Sequence, residues 1–137
     1  MEHTLNNFQE GKMTYSNGVL HVEYNKDTVV NENLLLKQII YRKNLTKNDD
    51  FYFIVDLRNV SDVTDEAVEL AAANPSPQHV KAIAMITVPG MGHTRAKLYS
   101  VFDRPNILTK AFLNIEDAML WFETLENEGC FGMKKAG

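Results

Sequence analysis

Apolar and polar residues divide this chain into short segments of differing period. Over residues 19–24, Leu20, Val22 and Tyr24 alternate with Val19, His21 and Glu23, the period of two that a strand with one buried face requires. Residues 12–16 precede it, joined through Asn17-Gly18, and both turn residues tolerate positive φ, so the pattern predicts a β-hairpin. The period then changes. Over residues 30–44, Leu35, Leu36, Ile39 and Ile40 recur at helical spacing and form the main apolar face of a predicted helix. Leu34, Tyr41 and Leu45 make a second stripe on the other side. That stripe reads either as contact with the hairpin or a fraying helix end, or as a surface for a partner, because contiguous exposed apolar area marks interfaces.

The strongest apolar run is Phe51-Tyr52-Phe53-Ile54-Val55-Asp56-Leu57, aromatic at its start and β-branched later, which predicts a central strand buried on both faces. A polar loop follows. Thr64 then caps a helix whose first turn holds Asp65 and Glu66, favourable against the helix dipole. That helix runs through Ala67, Val68, Ala71 and Ala72 and stops before Asn74-Pro75-Ser76-Pro77. Residues 81–88 form a second buried strand, broken by Pro89-Gly90-Met91-Gly92, and residues 93–102 a helix with Leu98, Tyr99 and Phe102 on one side. Arg104-Pro105-Asn106 turns into a strand over residues 107–113, whose Thr109 and Lys110 suit a wet face or an edge. Asn114 caps a last helix, with Ile115, Ala118, Met119, Phe122 and Leu125 on one face and Trp121 at its border.

The order β-β-α-β-α-β-α-β-α predicts an α/β single domain: a mixed sheet of four or five strands with an N-terminal hairpin and about four helices. Residues 1–9 are expected to be a flexible N-terminus, residues 10–126 the domain, and residues 127–137 a flexible tail.

The strand Phe53-Ile54-Val55-Asp56-Leu57-Arg58-Asn59-Val60 with its acidic helix start, and Lys81-Ala82-Ile83-Ala84-Met85, resemble the core of STAS domains, the fold of anti-sigma-factor antagonists of the SpoIIAA type. Thr109-Lys110-Ala111-Phe112-Leu113, followed by Glu116-Asp117-Ala118-Met119-Leu120-Trp121, looks like small bacterial STAS-like proteins of unknown role. The resemblance spans roughly residues 10–126. In the antagonists a kinase phosphorylates the serine that opens the helix and so blocks partner binding. Here Asp65 and Glu66 stand at that place, with Ser61 and Thr64 nearby; a carboxylate can mimic a fixed charge but cannot be switched.

Composition narrows the classes further. The chain has 137 residues and a net charge of −4, which argues against a general nucleic-acid binder with its basic face. No apolar run approaches the roughly 20 residues of a membrane span, and residues 1–7 lack the basic and apolar regions of a signal peptide. The single cysteine, Cys130, excludes an internal disulfide and suits a reducing compartment. A cytoplasmic, bacterial protein is the expectation.

No catalytic set emerges. The four histidines, His3, His21, His79 and His93, are not spaced for a metal, and Cys130 has no nearby fixed base, so neither metal nor cofactor is expected. Gly90, Met91, Gly92, His93 and Arg95, with Lys97 assisting, follow a buried strand and open a helix, an arrangement able to hold an anion; the glycines serve equally to turn strand into helix. Asp56 and Arg58 stand at the carboxyl end of the central strand, where α/β sheets place ligands, and an ion pair between them is the simpler reading.

Two functions are thus expected. The first is a non-enzymatic STAS-like interaction module that binds a protein partner or forms a homodimer, through Asp62, Thr64, Asp65 and Glu66 and the Leu34/Tyr41/Leu45 stripe. The alternative is a carrier or sensor of a small anionic or lipid-like ligand; by resemblance to the related CRAL-TRIO domains, the helix after Val88 would gate an apolar pocket lined by Met85, Met91, Tyr99 and Phe102. A third reading, an enzyme using His93 and Arg95, ranks below both, and the expectation is a chain that is not an enzyme.

Overall fold

A computed structural model describes residues 3–73, 79–102 and 107–129. The chain runs β1 (His3–Phe8), β2 (Gly11–Ser16), β3 (Val19–Tyr24), β4 (Thr28–Val30), α1 (Glu32–Thr46), β5 (Phe51–Asp56), β6 (Val60–Val63), α2 (Asp65–Ala73), β7 (Val80–Ile86), α3 (His93–Phe102), β8 (Leu108–Phe112) and α4 (Ile115–Glu128). Six strands form one sheet in the order β1-β2-β3-β5-β7-β8, antiparallel over β1–β3 and parallel from β3 onward. β4 and β6 make a separate parallel pair.

The predicted class, a mixed α/β sheet with a hairpin start and four helices, is the one found, with six strands in the main sheet instead of four or five. The first extra strand is β1, placed where a flexible N-terminus was expected. Its backbone pairs with β2 from His3↔Ser16 to Phe8↔Gly11, so main-chain hydrogen bonding organises a segment whose side chains carry no strand signal. At the other end, α4 continues through Glu128 and closes on Gly129 in the left-handed region (φ 69°), so residues 127–128 are helical instead of tail. The hairpin turn behaves as its residues require, with Asn17 at φ 53° and Gly18 at φ 78°.

β5 divides the core. All six of its side chains are buried. Phe51, Phe53 and Val55 join a cluster with Leu34 and Leu35 of α1, Ala67 and Ala71 of α2, and Leu98 and Val101 of α3. Tyr52 and Ile54 point the other way, into a cluster with Ala82, Ala84 and Ile86 of β7 and Ala118, Phe122 and Leu125 of α4. Helices α1–α3 therefore lie on one face of the sheet and α4 on the other.

α1 is rotated relative to the pattern, so that its predicted main face is split: Leu35 is buried and Ile39 half-buried, while Leu36 and Ile40 turn outward. Leu34 is fully buried, while Tyr41 and Leu45 pack against the core, and Phe8 meets the Tyr41 ring at 5.5 Å. The Leu34/Tyr41/Leu45 stripe thus packs inward, and Leu34, fully buried, is not available to a partner. Leu36 and Ile40, expected inside, are 47% and 58% exposed. The deciding contact is polar: Gln38, on the inner face, is buried and its amide donates to the Tyr24 hydroxyl. Asn31, whose side chain accepts from the Leu34 N–H at 2.9 Å, fixes where the helix starts and hence which face turns inward.

Gly11 opens β2 in register with Tyr24 of β3. A Cβ there would stand 2.0 Å from the Glu23 carbonyl oxygen, a backbone atom that cannot swing away. Gly11→Ala is expected to cost about 2–3 kcal/mol, read as a lower urea midpoint at unchanged m-value; an unchanged midpoint would show that the ladder yields freely there.

Candidate functional site

The acidic segment expected to meet a partner lies at the carboxyl ends of the strands. β4 and β6 hold it: Val29 pairs with Asp62 and Val30 with Val63, and the Thr64 N–H donates to the Val30 carbonyl at 3.0 Å. Thr64 caps α2 as predicted, its hydroxyl accepting the Ala67 N–H at 3.1 Å. Ala67 is buried beneath it, so α2 is anchored at its first turn. Asp62, Asp65 and Glu66 remain exposed around this anchored start.

A lysine from α3 bridges the segment. Lys97 Nζ lies 3.6 Å from Asp62 Oδ1 and 3.7 Å from Asp65 Oδ1. From the sequence, Lys97 belongs to the glycine loop and its anion; in the structure it serves the acidic segment and ties α3 to α2. Only the strand order, which seats α3 beside α2, makes that pairing visible. The carboxylates are solvent-exposed and Lys97 is half-buried, so each pair contributes about 1 kcal/mol or less; its effect is to limit where the carboxylates point.

The glycine loop opens α3 as expected. Gly90 and Gly92 occupy the left-handed region, at φ 87° and 55°. Two of the N–H groups available for an anion are already used, Thr94 N–H on the Met91 carbonyl at 3.2 Å and Ala96 N–H on the Gly92 carbonyl at 3.3 Å. Met91 packs against the core, and Phe102 is itself a buried core side chain alongside Leu98 and Val101, as is Met85. Phe102 thus fills the interior instead of lining an open pocket. The side chains of His93 and Arg95, and residues 74–78, 103–106 and Cys130, lie outside the described residues.

Asp56 and Arg58 pair with each other. Arg58 Nε and Nη2 donate to the two Asp56 carboxylate oxygens at 2.9 and 2.7 Å, and the Arg58 backbone N–H adds a third bond at 3.2 Å. Burial works to raise the Asp56 carboxyl, but these bonds and the guanidinium charge hold it below its ordinary value. Close by, His21 is half-buried and its Nε2 atom is buried with no hydrogen-bond partner among the described residues. Burial pushes the imidazole below its ordinary value, opposed by Glu23 and Asp56 and reinforced by Lys12 and Arg58. Among the described residues no group of three or more His, Cys, Asp or Glu is placed to hold a metal ion, and no helix is long and apolar enough to cross a membrane.

On the opposite sheet face the structure assembles a feature that the sequence did not suggest. Between α4 and the hairpin runs a groove of about 770 Å³, floored by Val19, Tyr52 and Phe122 and edged by Met119, Leu120 and three glutamates. The signal available was the apolar run Ala118–Phe122, too long for one helical face to bury, which leaves Met119 and Leu120 outside.

A family model described as Domain of unknown function (DUF7793) matches residues 13–126. Among solved structures, one of an uncharacterized protein from the DUF3478 family with a SpoIIAA-like fold, from Shewanella loihica PV-4, is similar at 9% identity, over 88% of this chain and 91% of that one, with a TM-score of 0.49. No curated protein matches this sequence. Neither description assigns an activity.

The His21 geometry fixes a pH dependence. Its folded pKa lies below the ordinary 6.5, so the unfolded chain binds more protons as pH falls through that value. The stability that His21 contributes is whole above about 6.5 and drains as pH drops towards the folded pKa. Urea midpoints at about pH 7.5 and about pH 5.5 should fall for the wild type and fall less for His21→Val; equal falls would place the acid sensitivity elsewhere.

Proposed function

We propose that this chain, which belongs to the DUF7793 family, is a non-enzymatic STAS-like module that binds a protein partner through the carboxylates around the start of α2. The observation that carries this reading is the mounting of Asp62, Asp65 and Glu66. Three independent constraints converge on a short exposed segment: the β4–β6 ladder, the Thr64 cap and the Lys97 bridge. A surface held in place before contact loses less conformational entropy on binding.

The chemistry of the rim indicates the partner. Val29, 44% exposed and in register with Asp62, places an apolar side chain beside the carboxylates. A polypeptide offering an apolar residue flanked by lysine or arginine complements that pattern, and the carboxylates add association rate and orientation more than affinity. The charge is permanent, so engagement follows partner supply instead of phosphorylation of this helix start. In this reading the Asp56–Arg58 pair and the glycine loop are structural.

Neutralising the rim tests it. The variant Asp62→Asn/Asp65→Asn/Glu66→Gln should keep its fold, losing about 1 kcal/mol or less per pair because these carboxylates are exposed, and should lose the partners that the wild-type chain captures from its own cells. Retention of every wild-type interaction by a folded variant would sink the proposal.

A further inference from the structure

We infer that this chain self-associates head to tail, the outer face of α1 of one copy lying in the α4–hairpin groove of the next. The inference rests on the interaction-module reading only in taking the chain to act by contact; it uses two surfaces away from the α2 rim.

The first surface is a stripe on α1. At 3.6 residues per turn, Leu36, Ile40 and Lys43 fall on one line, with Lys47 just past the helix end and Glu32 at its start. Leu36 is 47% and Ile40 58% exposed, and both lysines are exposed. The helix thus presents an i, i+4 apolar pair followed by cations, the pattern of a helix that docks in a groove.

The second surface has the opposite charge. The groove is edged by Met119 (42% exposed) and Leu120 (60% exposed), and carries Glu116, Glu123 and Glu126 against one cation, Lys81. Lys81 already stands 3.4 Å from Glu126 and over the Tyr52 ring at 5.0 Å. Apolar meets apolar, and two lysines meet an excess of carboxylates. The lengths agree as well: Leu36 to Thr46 and Glu116 to Glu126 each span about 15 Å at 1.5 Å per residue.

Topology sets the symmetry. α1 packs on one face of the sheet and α4 on the other, as their separate core clusters show. Two rigid copies cannot place both stripes in both grooves at once. The contact is heterologous, so copies add in a row instead of closing as a two-fold dimer.

The test uses the whole chain and two variants at exposed positions, where substitution leaves stability nearly unchanged. Leu36→Asp/Ile40→Asp removes the stripe and keeps the groove; Leu120→Lys removes the groove and keeps the stripe. In sedimentation velocity, the wild-type mass should rise with concentration and fall back on added salt, while each variant alone stays at monomer mass. An equimolar mixture of the two should form a species of twice the monomer mass that grows no further. A wild-type chain monomeric up to near-millimolar concentration would overturn the inference. So would a Leu120→Lys variant that associates like the wild type, which would mean stripe-to-stripe pairing. The Asp62→Asn/Asp65→Asn/Glu66→Gln variant should self-associate normally, so failure of the rim and failure of the groove are read separately.

Discussion

The alternation of side chains along β5 governs the rest of the molecule. Phe51, Phe53 and Val55 enter the layer under α1–α3, and Tyr52 and Ile54 the layer under α4, with every one of them buried. Burying a side chain of this size contributes roughly 1.5–3 kcal/mol, and here a single strand supplies both interiors. A slip of one residue would send the phenylalanines towards Ala82 and Ala84 of β7, where α4 packs close because those alanines are small. The register of β5 therefore fixes the position of both helix layers, and through them of every surface available for function.

Those surfaces differ in how they are held. The α2 rim is held by polar devices at the strand ends: a hydroxyl cap, a backbone bond from Thr64 to Val30 and a lysine between two carboxylates. Its exposed groups can be altered without disturbing the interior. The α4 groove is tied more closely to the core. Tyr52 stacks on Phe122 at 4.6 Å and donates its hydroxyl to Glu126, one of the groove's own carboxylates. Burial and that carboxylate together raise the Tyr52 pKa, while the same bond, with Lys81, holds Glu126 below its ordinary value.

Much of the fold was legible because several local signals were unambiguous. Asn17-Gly18 required a hairpin, Thr64 and Asn114 marked helix starts, and the run from Phe51 admitted only a buried strand. Three strands escaped for a physical reason: β1, β4 and β6 are stabilised by backbone pairing, and Thr4-Leu5-Asn6-Asn7, Thr28-Val29-Val30 and Val60-Ser61-Asp62-Val63 are too polar or too short to show a period. α1 misled because it is apolar on both sides, so periodicity located the helix but left its rotation open. Tyr24, 14 residues from Gln38 and on another element, settles that rotation through Gln38. The α2 rim was readable from local sequence; the Lys97 bridge and the α4 groove arise from tertiary placement and have no local sign.

The rotation of α1 bears on how such a chain works. A helix with one apolar face has a single way to satisfy it; a helix with two must leave one to solvent or to another molecule. Here the inner face is committed by Gln38, Leu34 and Tyr41, which leaves Leu36 and Ile40 outward beside exposed lysines. The groove on the far side of the sheet has the reciprocal composition, apolar with an excess of carboxylates. With a net charge of −4 the chain as a whole repels its copies, so association has to come from local complementarity working within a Debye length of about 8 Å at physiological salt. Lys43 and Lys47 are placed to supply it. The proposed contact between copies would select one orientation, with like-charged surfaces apart and only stripe and groove together.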